Sequence, residues 1–113
     1  MRMPRNASRL GALRHRVAIE EPLRTADEGG GAAIAWNLVA TVWAEVAPKT
    51  GREVFESDQL GGRITHDVRL RYRQGISPKM RFVHQGRIFD IRHVASPGER
   101  REWLICACEE QTE

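Results

Sequence analysis

The chain has 113 residues, 41% of them hydrophobic and 29% charged, with a formal net charge of +3. That length holds one domain with one small core, and three Trp with three Phe supply enough bulk to exclude wholesale disorder. The longest apolar-leaning run, residues 29–44, contains three glycines and Asn37, which excludes a membrane-spanning helix there.

Residues 1–9 carry Arg2, Arg5 and Arg9 beside Pro4 without any periodicity, so a flexible basic leader is expected. No apolar stretch follows it, so no secretory signal is expected. Residues 10–109 read as a single domain. Residues 14–20 alternate, with Leu13, His15, Val17 and Ile19 on one side and Arg14, Arg16 and Glu20 on the other. A period of two predicts a half-buried strand, and Glu21-Pro22 is expected to end it. Residues 23–35, with Gly29-Gly30-Gly31 at their centre, predict a long hairpin tip. A phosphate-cradling loop would need a Lys at fixed spacing and a following helix, and neither is present. Residues 35–46 predict the second strand, apolar in part on both faces. Trp36 and Trp43 are packing residues in this reading, and candidates for filling a neighbour's pocket.

Pro48 breaks that strand. Thr50 and Glu53 stand at capping-box spacing, which predicts a short helix over residues 51–60 stopped by Gly61-Gly62. Val54, Phe55 and Leu60 are its few apolar side chains, too few for a buried stripe. The segment 47–63 therefore reads as a loop projecting from the scaffold, and such loops carry function.

Residues 66–73 alternate strictly. Val68, Leu70 and Tyr72 face one way; Asp67, Arg69, Arg71 and Arg73 face the other. Gly75 and Pro78 form a turn, residues 80–83 a short strand, and His84-Gln85-Gly86-Arg87 a hairpin turn with Gly in the left-handed position. Residues 87–94 and 102–109 supply two more strands, the last one apolar on both faces and expected to close the sheet. Residues 110–113 are expected to form an acidic tail. The fold class is thus mainly β: a small antiparallel β-barrel of SH3 or OB size, with a long hairpin and one loop carrying a short helix.

Charge is uneven along the chain. Residues 63–92 hold eight basic side chains against two acidic ones, whereas residues 109–113 hold three Glu and no base. That separation suits a nucleic-acid partner, or subunits that meet by opposite charges, or simply a solvated strand face. Asp67 is expected to pair weakly with Arg69 on the same strand face. Arg69, Arg71 and Arg73 facing Glu53, Glu56 and Asp58 of a neighbouring subunit would be one such contact between subunits.

The residues offer no catalytic constellation: no nucleophile elbow, no paired carboxylates, and no His or Cys at metal-ligand spacing. Cys106 and Cys108 lie two apart on one face of a strand, a geometry suited to buried structural thiols rather than a mutual disulfide. No enzyme activity, cofactor or metal is expected.

The order of these features resembles the head–tail joining, or head-closure, proteins of long-tailed bacteriophages. It runs from Leu13-Arg14-His15-Arg16-Val17 through Trp36-Asn37-Leu38-Val39-Ala40-Thr41-Val42-Trp43-Ala44-Glu45-Val46. Pro48, Gly51-Arg52-Glu53 and Thr65-His66-Asp67-Val68-Arg69-Leu70-Arg71-Tyr72-Arg73 follow. Gly75-Ile76-Ser77-Pro78-Lys79-Met80-Arg81 and Gly86-Arg87-Ile88-Phe89-Asp90-Ile91 complete it. These proteins are also called stoppers or head–tail adaptors, and relatives occur in prophages and gene transfer agents.

The resemblance implies a β-barrel assembling into a ring, expected to be dodecameric, in the neck of the virion. A portal or adaptor ring lies above it and tail-terminator or tail-tube proteins below, with packaged double-stranded DNA in the channel. It implies a channel loop at residues 47–63, carried by Lys49, Thr50, Gly51, Arg52, Glu53, Val54, Phe55, Glu56, Ser57 and Asp58. Barrel flanks would form subunit contacts, with Trp36, Trp43, Arg69, Arg71 and Arg73 as candidates, and the hairpin at 23–35 would reach neighbouring rings. No membrane partner is implied.

Two other readings compete. A small nucleic-acid-binding barrel would use Arg69, Arg71 and Arg73 for phosphates and Tyr72, Phe82 or Phe89 for stacking. The alternation places Tyr72 away from the arginines, against that reading. A neighbouring neck part, such as a tail-completion protein, would make similar demands on the sequence.

Overall fold

A computed structural model describes residues 13–26, 32–98 and 101–112. Its elements are β1 (His15–Ala26), β2 (Ala32–Pro48), α1 (Gly51–Gln59), β3 (His66–Arg71), β4 (Arg81–His84), β5 (Arg87–Ala95) and β6 (Trp103–Glu110). The six strands close into an antiparallel barrel in the order β1-β2-β3-β6-β5-β4. The predicted leader at residues 1–9 lies outside the described residues.

Alternation drives the closure. Val17 and Ile19 from β1, Val68 and Leu70 from β3, Phe82 from β4, Phe89 and Ile91 from β5, and Cys106 and Cys108 from β6 all point inward and are fully buried or nearly so. Phe82 and Phe89 are direct cross-strand partners, so the two largest core side chains meet at the β4–β5 hairpin. Burying each contributes about 1.5–3 kcal/mol. The hairpin turn is left-handed at both central residues, Gln85 (φ 51°) and Gly86 (φ 78°). That is the geometry a two-residue turn needs to match strand twist.

The first two strands outrun the barrel. β4 pairs with β1 only as far as Glu20, opposite Arg81, and β3 pairs with β2 only from Ala44 onward. Past those points, among the described residues, β1 and β2 pair only with each other, out to Ala26 and Ala32. A bulge marks the departure: the partner of Ile19 is Ala40 but that of Glu20 is Leu38, which leaves Val39 as the extra residue. Bulges bend a strand and sharpen its twist, and this one swings the pair out as an arm.

Here the structure corrects the sequence reading. Pro22 does not end β1, because it lies past the last β4 pairing, where no described strand on that side needs its missing N–H. Most of the stretch 23–35, expected as a hairpin tip, is paired strand; residues 27–31 lie outside the described residues. Glu110, expected in an acidic tail, is the last residue of β6. β6 is fully buried on one face only, at Leu104, Cys106 and Cys108.

Core and loop should respond differently to truncation. Phe89→Ala is expected to lower unfolding stability by about 3–5 kcal/mol. Leu60→Ala, at a position 89% exposed, should stay within about 0.5 kcal/mol. Urea denaturation of the two variants checks both.

Candidate functional site

Three features outside the core stand out: a clamped helical loop, an outer belt of arginine and tryptophan, and the open arm.

Thr50 is the N-cap of α1, extended at φ −66° and ψ 159°. Its Oγ1 accepts from the Glu53 amide at 3.2 Å, and Glu53 Oε1 accepts from the Thr50 amide at 3.1 Å. This reciprocal box satisfies two helix-end donors at once. Those bonds from Thr50, with Lys49 behind them, hold the Glu53 carboxyl below the usual range. At the far end Gly61 (φ 88°) donates to Asp58 O and Gly62 to Ser57 O. Ser57 Oγ accepts from the Ile64 amide at 2.9 Å and turns the chain back. The base of the loop is clamped by Lys49 N donating to Thr65 O at 2.9 Å and by the Lys49 Nζ–Asp67 ion pair at 2.9 Å. The hydrogen bond to Asp67 is the main reason the Lys49 ammonium titrates above its ordinary value. No residue of α1 is buried, and Phe55 is 64% exposed. The loop is capped and clamped at its base, and its helix packs no core.

Trp103 lies opposite Arg71 on β6 and covers the outer face of β3. The Arg69 guanidinium stacks over its ring at 4.1 Å, and the Arg71 guanidinium sits 5.4 Å away. Arg69 is only 5% exposed and directs Nε to Glu45 at 3.4 Å. The next strand continues the pattern: Arg16 stacks over Trp43 at 5.1 Å, and the two are cross-strand partners. Arg81 stacks over Trp36 at 3.9 Å while bonding Glu20 at 2.8 Å. Such contacts contribute about 0.5–2 kcal/mol each, rising with burial. At the end of β3 a cleft of about 420 Å³ is lined by Arg71, Tyr72, Arg101, Glu102 and Trp103.

The predicted site residues therefore separate. Residues 49–58 form one unit, as expected. Of the three arginines only Arg71 is exposed; Arg69 is committed inside the subunit and Arg73 is half-buried. Asp67 pairs with Lys49 rather than Arg69. The arginines and the acids of α1 also stand apart within one subunit, because α1 adjoins the His66 end of β3 and Arg71 closes the other end. Trp36 is half-buried under Arg81, whereas Trp43 is 51% exposed. Sequence reading missed Arg16, Arg81 and Trp103, whose partners lie on other strands and become visible only through register. Phe82 and Phe89 are fully buried, so a single-strand stacking platform built on them does not exist.

Cys106 and Cys108 are buried on the inner face, and burial pushes the Cys106 thiol up to about 12 and Cys108 higher still. Such thiols are inert. Among the described residues no three His, Cys, Asp or Glu side chains converge as a metal site would require, and no helix is long and apolar enough to cross a membrane.

A closed barrel that displays a stiff loop, an aromatic–cationic belt and an extended arm defines a scaffold for assembly with other proteins. Comparison with known proteins narrows that class. The family model of the phage head completion protein matches residues 9–111; the chain belongs to that family. The solution structure of protein SF1141 from Shigella flexneri 2a is 28% identical, with a TM-score of 0.72, and covers 92% of this chain and 97% of its own. A chain of a native gene transfer agent virion is 27% identical, with a TM-score of 0.60, covering 87% of this chain and 94% of its own. No curated protein matches. The chain is a structural virion component of the head–tail neck.

One acid-sensitive cluster ties β6 to β3 and β5. Arg87 grips Glu110 through two bonds, at 2.7 and 3.0 Å, and holds its carboxyl below the usual range. Beside them His66 bonds Thr65 Oγ1 at 2.9 Å and packs edge-on to Phe89; burial lowers its pKa from 6.5. Both groups bind protons more readily when unfolded, so stability rises with pH through their ranges. On acidification the His66 contribution should be lost first, below pH 6.5, and that of Glu110 below pH 4.5. In thermal melts taken from pH 7 to 3, His66→Gln should flatten chiefly the upper part of that decline. Glu110→Gln should flatten the lower part and also shift the upper, because the Glu110 carboxylate 3.9 Å away favours protonated His66.

Proposed function

We propose that this chain forms a ring in the virion neck, beneath the portal or adaptor ring, that closes the DNA-filled head. On this reading the ring is a dodecamer, residues 47–63 gate the channel, and the lower face receives the tail-terminator or tail-tube proteins. The role is structural and non-enzymatic.

The observation that carries this reading is the build of the 49–65 loop. Its ends are clamped by backbone and charge, its helix is capped, and none of the helix is buried. An ordered helix with no core of its own gains its use from what it meets outside the subunit. Residues 49–63 hold three bases and three acids, and a segment without net charge does not hold passing DNA by phosphate attraction. Phe55 and Leu60, both exposed, supply apolar tips for a narrow gate. The virion of the gene transfer agent, which contains a chain of this fold, supports the place in the particle.

The alternative of a free nucleic-acid-binding module loses support from the same structure. Two of its three proposed stacking rings are core residues, and one of its three phosphate arginines is buried against Trp103.

Thr50→Ala removes the hydroxyl cap and should cost α1 about 1 kcal/mol without touching the barrel. Particles carrying this variant are expected to contain the chain at its normal level yet to lose packaged DNA on mild heating. DNA content per particle, measured before and after, reads this out. Unchanged retention would contradict a gating role for the loop.

A further inference from the structure

We propose that the open edge of β2, from Ile34 to Trp43, accepts an added strand from an acidic extended segment of a different protein in the same assembly. The inference rests on the neck reading above and goes beyond it by naming an edge, a mode of contact and the chemistry of the partner.

The edge is unusual for a barrel. Closure abolishes edges, but only residues 44–48 of β2 pair with β3, so residues 32–43 have β1 on one side and, among the described residues, no strand on the other. Natural edges are blunted with charges, proline or short length. Residues 34–43 contain neither a charge nor a proline. Ile34, Leu38, Val39 and Trp43 stand 39–58% exposed along the same run. The opposite edge of the arm is treated differently, since β1 past Glu20 carries Pro22 and Arg24. A two-stranded hairpin is marginal in water by itself, and a third strand stabilises it.

The surroundings specify the guest. Ala44 pairs with Leu70, so Trp43 falls beside Arg71, where the β2–β3 pairing ends. There β3 turns away from β2, and the Tyr72 amide donates to Glu102 O near β6. The space so opened borders the cleft of Arg71, Tyr72, Arg101, Glu102 and Trp103. Arg71 is exposed, and Arg16 is exposed over Trp43 on the other side. A strand laid along the open edge of β2 runs toward Arg71 and Arg101 at the cleft, and acidic side chains on it satisfy these cations. This is β-strand addition, in which main-chain hydrogen bonds give affinity and flanking side chains give selectivity.

A second copy of this chain is the poorer occupant. A closed ring needs two different complementary edges. The other open edge among the described residues is that of β1, and Pro22 interrupts it. Two β2 edges pairing with each other would give a twofold dimer instead.

Amide hydrogen exchange at residue resolution on the free chain and on purified particles tests this. In particles, the alternate amides of residues 34–43 that face away from β1 are expected to slow by about 100-fold. Val39→Lys and Arg71→Glu should each cut incorporation into particles by about tenfold while leaving the melting temperature of the free chain within a degree or two. Particles that contain the chain with unchanged exchange at 34–43 would overturn the proposal. Protection of the same amides in the free chain at high concentration, with a dimer mass, would overturn it in favour of a second copy. Absence of the chain from particles, read directly by mass spectrometry, would refute the neck reading instead.

Discussion

The cross-strand meeting of Phe82 and Phe89 is the contact on which the rest depends. Both rings are fully buried, and the inward side chains of β1, β3, β5 and β6 pack around them. A core this small closes only if every strand keeps its apolar alternation in register. The barrel interior is filled by these side chains, and the features that can meet a partner lie on the outside. The outward residues then divide the molecule: a stiff loop at one end of β3, an arm and a cationic cleft at the other, and a stacked Arg–Trp surface between them.

That surface is less available than a list of charges suggests. Arg69 is a structural residue in all but name, covered by Trp103 and facing Glu45. Arg81 and Arg87 are likewise engaged, with Glu20 and Glu110. Among the described residues, Arg71 and Trp43 beside the open edge and Phe55 on the helical loop are the exposed arginine and aromatic side chains best placed for partners. Interfaces draw most of their binding energy from a few aromatic and arginine side chains of this kind. A chain of this length can thus present distinct surfaces to distinct neighbours without a second domain.

The barrel was legible in the sequence because burial on one face writes a period of two, which β1 and β3 carry plainly. The helix was legible too, since the Thr50–Glu53 box and Gly61 are local signals. The arm was not. Pro22 and the glycine run read as breakers, and only the absence of a β4 partner past Glu20 makes Pro22 harmless. The tempting cationic face of β3 failed for a similar reason. Alternation gives the side on which Arg69, Arg71 and Arg73 emerge, but not that Trp103, more than thirty residues on, lies over one of them. Pairings such as Lys49 with Asp67, or Arg16 with Trp43, depend on register between strands, which no single stretch encodes.

The most direct test of the central claim is a cryo-electron microscopy map of intact particles with this chain traced in it. The account requires a ring of these barrels in the neck, with residues 47–63 directed at the channel axis and the β1–β2 arm directed toward an adjoining ring. A map in which the chain lies outside the neck, or in which the 47–63 loop points away from the axis, would contradict it.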